Sequence, residues 1–201
     1  MAKRTYVRTA AVLSAASLAL FGCSSGDDSD TDDTAAGGSS ETSAAEEAVS
    51  TDCEPEQATA GDTPDTSPLV VGTLLPNTGS LAFLGPPEVA GVQLAINDIN
   101  EAGGVLSQPV TLIPGDSGDT TTDTANTTVD RLLAGGADVI VGAASSAVSL
   151  QVIDKITSAG VVQISPANTS DQFVCYADRG QYFRTAPTDV LQAQALAQLI
   201  A

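Results

Sequence analysis

The residues of this chain that could do chemistry are hydroxyls gathered after two short apolar runs. One run, Ala137-Asp138-Val139-Ile140-Val141-Gly142, leads into Ala143-Ala144-Ser145-Ser146. The other, Val161-Val162-Gln163-Ile164, leads into Ser165-Pro166-Ala167-Asn168-Thr169-Ser170. Small neutral donors and acceptors suit the recognition of a polar ligand better than they suit catalysis. Ser145-Ser146 also opens a helical pattern, and the N–H groups and dipole at a helix start favour an anion. A serine at such a corner can equally be the N-cap, and for Ser146 both roles are expected. For Thr169 the competing role is a loop hydroxyl satisfied by its own neighbours.

Enzyme chemistry is poorly served. The chain has no His, which removes the usual Ser-His and Cys-His dyads and the commonest metal ligand. Thr78-Gly79-Ser80-Leu81 lacks the repeated glycines and the Lys of a phosphate cradle. Asp116 and Asp119 could bind a cation or work as an acid–base pair. A pair in a βα loop more often caps a helix, and that is the reading taken here. Arg184 is expected to pair with an acidic residue near a domain boundary. No catalytic residue, metal or cofactor is assigned.

The elements that must position these residues alternate along the chain. Residues 69–75 form a continuous apolar run of the kind a buried parallel strand needs, ended by Pro76-Asn77-Thr78-Gly79. Residues 88–102 carry Val89, Val92, Ala95, Ile96 and Ile99 on a helical stripe, with Pro87 in the first turn and Gly103-Gly104 as the stop. A second strand over 109–114 follows, then a helix over 121–134 capped by Thr, a third strand over 138–141 and a helix over 146–159. A fourth strand over 161–164 and a fifth over 181–184 precede a last helix capped by Thr188-Asp189. Crossovers of this length suit parallel pairing, so the fold class expected is α/β, a doubly wound, mainly parallel sheet, in which ligands bind beyond the carboxyl ends of the strands. The last helix runs to Ala201 without a stop signal, which is read as the amino-terminal part of a longer protein.

Composition divides the 201 residues into three parts. Residues 1–22 have a basic head, Lys3, Arg4 and Arg8, and an apolar core over 10–21 too short for a stable bilayer span, the pattern of a signal peptide. The segment Leu20-Phe21-Gly22-Cys23 resembles the lipobox of bacterial lipoproteins, which implies that Cys23 is lipidated; the alternative is an ordinary secretory signal. Residues 23–67 hold thirteen acidic residues and no Lys or Arg, a disordered tether by composition. Residues 68–201 form the folded domain, with twelve acidic and four basic residues, a balance that argues against nucleic acid as a partner. With Cys23 set aside, Cys53 and Cys175 form an even pair that suggests a disulfide in an exported protein; Cys175 could instead pair outside the chain.

Four segments in order carry a resemblance that spans the folded part. They are Gly79-Ser80-Leu81-Ala82-Phe83-Leu84-Gly85, Ala95-Ile96-Asn97-Asp98-Ile99-Asn100-Glu101-Ala102-Gly103-Gly104, Gln163-Ile164-Ser165-Pro166-Ala167-Asn168-Thr169, and Tyr182-Phe183-Arg184-Thr185-Ala186-Pro187-Thr188-Asp189. Together they resemble the extracytoplasmic substrate-binding proteins of ABC transporters, in the branched-chain amino acid (Leu/Ile/Val) and amide type. The resemblance implies the amino-terminal lobe of a periplasmic binding protein type I fold, with ligand held in a cleft between two lobes. It further implies that Ser146 and Thr169 hold the ligand carboxylate, that the Ala167 carbonyl and Thr169 hydroxyl accept from its ammonium, and that Leu84 lines the side-chain pocket. The expected role is a membrane-anchored, extracytoplasmic receptor that passes an amino acid or amide to a permease and does no chemistry. A sensor domain of the same fold is the alternative, and an enzyme on a Rossmann-like sheet is disfavoured by the missing glycine loop and His.

Overall fold

The computed structural model describes residues 53, 54, 56–58 and 66–201. The expected signal peptide, Cys23 and most of the acidic tether lie outside these residues. Five strands and four longer helices alternate: β1 (Val70–Leu74), α1 (Gly85–Glu101), β2 (Thr111–Ile113), α2 (Thr124–Ala134), β3 (Val139–Gly142), α3 (Ser146–Ser158), β4 (Val162–Ser165), β5 (Tyr182–Arg184) and α4 (Asp189–Ile200). A single 3-10 turn, Asp171–Phe173, lies between β4 and β5.

Every strand pair is parallel, and the sheet order is β2-β1-β3-β4-β5. Strand order reverses between β1 and β3, so the chain leaves the sheet in opposite directions there and opens a crevice at the carboxyl edge. The alternation of side chains along each strand feeds two cores. Leu74, Ile140, Val129, Leu132, Val148, Val152 and Ile156 are fully buried where α2 and α3 cover one face. Val71, Ile96 and Val110 pack where α1 covers the other. Each such aliphatic side chain contributes about 1.5–3 kcal/mol by leaving water.

Two helix starts differ from the expected ones. α1 begins at Gly85 rather than 88, because Pro86 and Pro87 are both accommodated in its first turn, where no N–H is needed. α2 begins at Thr124 after Asp123, and no side chain caps it, so neither the expected threonine cap nor a cap from Asp116 or Asp119 exists.

Cys53 and Cys175 are joined by a disulfide across 122 residues, with Cα atoms 5.7 Å apart. The short described stretch that follows Cys53 lies against the connection into β5. The Arg179 N–H donates to the Glu56 carboxylate. Gly180 has φ +70°, and a Cβ there would sit 2.3 Å from the Ala58 nitrogen; glycine satisfies both demands at once.

None of the residues of α4 is buried. Its first turn is nonetheless held. Thr188 caps it by accepting from the Leu191 N–H at 3.1 Å, the Asp189 N–H donates to the Thr169 carbonyl at 2.8 Å, and the Val190 N–H donates to Asp171 Oδ1 at 3.4 Å.

Candidate ligand-binding site

The structure brings Ser146, Ala167 and Thr169 to one corner, where β3 and β4 end side by side. Leu84 sits at the start of α1, on the loop leaving the carboxyl end of β1, and is 37% exposed. The N-cap of α3 is Ser145, whose hydroxyl accepts from the Val148 N–H at 3.5 Å. Ser146 is therefore the first residue of the helix rather than its cap, which corrects the double role expected of it. Its Oγ instead accepts from the N–H groups of Thr169 at 3.3 Å and Ser170 at 3.4 Å. One hydroxyl thus ties the two loops together and keeps its own O–H to donate.

The polar groups of this corner, on residues that are half-buried or exposed, are only partly used. Among the described residues, the Ala167 carbonyl, the Thr169 hydroxyl and the N–H groups of Ser146 and Ala147 have no hydrogen-bond partner. Two N–H donors at a helix start suit a carboxylate. A carbonyl and a hydroxyl beside them suit an ammonium.

Behind the corner lies a buried polar network that the residue types alone did not reveal. Asn168 is fully buried. Its Nδ2 donates to the carbonyls of Ala143 at 3.0 Å and Ala144 at 2.9 Å, and its Oδ1 accepts from the Tyr182 hydroxyl at 2.8 Å. Ser165 Oγ donates to the Ala143 carbonyl at 2.7 Å while accepting from the Asn168 N–H at 3.0 Å. Gln163 Nε2 donates to the Gly142 carbonyl at 2.9 Å, and the Ala143 N–H donates to Ser149 Oγ at 3.1 Å. These bonds pay the desolvation cost of turning the loop carbonyls inward. Gly142 permits the turn: at φ +133° a Cβ would lie 2.0 Å from the Leu74 carbonyl oxygen. Burial pushes the Tyr182 hydroxyl far above its ordinary range, so it stays a donor.

Arg184 forms no ion pair among the described residues, contrary to expectation. Its Nη1 donates to the Ser170 carbonyl at 2.7 Å, and its guanidinium lies 5.8 Å from the centre of the Phe173 ring. The Phe173 ring, itself buried, supplies a face that an acidic side chain does not.

The acidic pair sits at the same edge of the sheet, after β2, and is saturated from within. Asp116 accepts from the N–H groups of Asn77, Thr78 and Gly118 and from the Thr78 hydroxyl. Partial burial raises its pKa, but the bonds from Thr78, Gly118 and Asn77 outweigh that and hold the carboxyl below its ordinary value. Asp119 accepts from the Thr121 hydroxyl and N–H and from the Ser80 N–H, bonds that lower it too. The pair clamps the loop after β1 to the loop after β2. Among the described residues no group of three or more His, Cys, Asp or Glu could hold a metal ion.

A concavity of about 660 Å³ lies elsewhere, lined by Cys53, Glu56, Phe173, Cys175, Tyr176 and Asp178 among others. None of the four expected ligand-binding residues, Leu84, Ser146, Ala167 and Thr169, lines it.

Comparison with known proteins gives the β3–β4 corner a setting. The family model described as periplasmic binding protein matches residues 68–201. The chain belongs to the periplasmic binding protein family. Members of this family bind ligands and are not enzymes. A Leu/Ile/Val-binding protein from Rhizobium johnstonii is 27% identical over 135 residues, 66% of this chain and 35% of that protein. A Leu/Ile/Val-binding protein homolog from Brucella abortus is 35% identical over 120 residues, 58% of this chain and 28% of that one. The branched-chain amino acid transporter substrate binding protein of Streptococcus pneumoniae, solved in complex with isoleucine, is 30% identical with a TM-score of 0.54, covering 61% of this chain and 35% of its own. An ABC transporter substrate-binding protein of Desulfitobacterium hafniense, solved with Leu, is 28% identical with a TM-score of 0.54, covering 67% and 38%. The chain thus spans about 35% of the length of the first of these relatives. The parallel sheet with flanking helices is that of the type I periplasmic binding proteins.

Proposed function

We propose that this chain supplies one wall of the ligand cleft of an extracytoplasmic solute-binding protein for an ABC transporter. The ligand is a small amino acid, branched-chain or similar, or a related amide. The carboxylate docks on the Ser146 and Ala147 N–H groups with the Ser146 and Thr169 hydroxyls. The ammonium donates to the Ala167 carbonyl and the Thr169 hydroxyl, and the apolar side chain turns toward Leu84. Cys23 carries the lipid that holds the protein at the membrane, and the acidic tether spaces the domain from it.

The observation that carries this reading is the set of unspent groups at the β3–β4 corner. Donors for an anion and acceptors for a cation stand next to each other on a rigid edge, as an amino-acid head group requires. The relatives named for leucine, isoleucine and valine support the ligand class. A wall without its opposite wall offers few contacts, so affinity for this chain alone is weak.

A thermal-shift screen of the chain against L-amino acids, amides and simple carboxylates tests the proposal. Branched-chain L-amino acids at millimolar concentration are expected to raise the melting temperature, and the matching carboxylates without an amino group are not. Equal stabilisation by both classes would remove the ammonium contact. Turnover of a bound amide would replace the receptor reading with an enzyme.

A further inference from the structure

Thr169 is the residue on which the proposed head-group site turns, yet its own side chain is not what holds it in place. Both of its chain neighbours are held by β5. Asn168 accepts the Tyr182 hydroxyl at 2.8 Å, and the Ser170 carbonyl accepts Arg184 Nη1 at 2.7 Å. Tyr182 and Arg184 are two apart on one strand, so both project from the same face, while Phe183 between them is exposed. The Phe173 ring stacks on the Tyr182 ring at 4.6 Å and lies 5.8 Å from the Arg184 guanidinium. This ring packs against both residues that reach the loop.

We propose that Tyr182 and Arg184 are positioning residues for ligand recognition, gripping Thr169 from either side and setting the orientation of its hydroxyl and of the Ala167 carbonyl. The proposal rests on the amino-acid reading of the corner. Asn168 transmits the Tyr182 grip. Its two amide donors are spent on Ala143 and Ala144, so the orientation of the amide is forced and only Oδ1 remains for Tyr182. Removing the Tyr182 hydroxyl leaves that buried oxygen unpaired, which loosens the hold on Asn168 from the β5 side and, through the backbone, on Thr169. Arg184 acts through a charge-assisted bond to a backbone carbonyl, which a neutral side chain of similar length reproduces only in part.

The test uses the chain carrying Tyr182→Phe or Arg184→Gln, with two readouts at a temperature where each variant is folded. The first is hydrogen exchange without ligand at the Thr169 and Ser170 amides, which donate to Ser146 Oγ. The second is titration with L-leucine followed by amide chemical shifts. Exchange at Thr169 and Ser170 is expected to quicken about tenfold in Tyr182→Phe, with the β3 amides unchanged. The L-leucine dissociation constant is expected to rise about three- to tenfold in each variant, and Arg184→Lys to recover part of the loss. Faster exchange with an unchanged dissociation constant would make the contacts structural only and overturn the proposal, as would no change in either readout. Absence of any response to L-leucine in the unmodified chain would overturn the amino-acid reading itself, and the positioning role with it.

Discussion

The carboxyl edge of the sheet carries two pairs of loops that are secured in opposite ways. After β1 and β2, the loops are tied by Asp116 and Asp119, ionised groups near the surface whose oxygens are saturated by neighbouring N–H and hydroxyl donors. After β3 and β4, the loops are tied by Gln163, Ser165 and Asn168, neutral groups that are fully buried. The acidic pair turns its oxygens to donors on its own two loops. The neutral network is buried and leaves the Ala167 carbonyl, the Thr169 hydroxyl and the Ser146 and Ala147 N–H groups without a partner among the described residues. Candidate ligand chemistry therefore belongs to the second pair, although the carboxylates are the more conspicuous residues in the sequence.

The largest loss of stability is expected at Asn168. Asn168→Ala leaves the Ala144 carbonyl and the Tyr182 hydroxyl without their partner and takes one of its donors from the Ala143 carbonyl, and is expected to destabilise the chain by about 3 kcal/mol in urea unfolding. Asp116→Asn removes the charge from a solvent-accessible clamp and is expected to cost less, about 1–2 kcal/mol in the same assay.

Acid separates the two pairs without mutation. Asp116 and Asp119 lie below their ordinary value of 3.8 in the folded chain. Their contribution to stability is fully present above that value and is lost as the pH falls through the lower folded values. Hydrogen exchange measured down a pH series below 3.8, corrected for intrinsic rates, is expected to show Thr78 and Gly118 losing protection. The Thr169 and Ser170 amides, which are bonded to a serine hydroxyl, are expected to keep theirs. The smallest effect on stability is expected at Thr169→Ala, within about 0.5 kcal/mol, because the hydroxyl has no internal partner among the described residues.

The sequence disclosed the scaffold better than the wiring. Runs such as residues 69–75 and 161–164 have no other economical fate than buried parallel strands, and all five expected strands are present in one sheet. The strand ends could be located for the same reason, and with them Ser146, Ala167 and Thr169. The roles of polar residues were harder to read, because each depends on which way a distant backbone carbonyl turns. Asn168 looks like an ordinary loop residue until the Ala143 and Ala144 carbonyls are seen to face inward. Ser145 and Ser146 exchange capping roles over a single residue, a difference set by where the backbone leaves the extended region. Arg184 had aromatic and carbonyl partners that charge counting does not suggest.

On this proposal the β3–β4 corner, and not the acidic corner, receives an amino-acid head group. Titrating the chain with L-leucine while recording backbone amide shifts tests it most directly. The largest changes are expected at Ser146, Ala147 and Thr169, with affinity weakened about tenfold by Thr169→Ala. Changes centred on Thr78, Asp116 and Gly118, or an affinity that Thr169→Ala leaves unchanged, would contradict it.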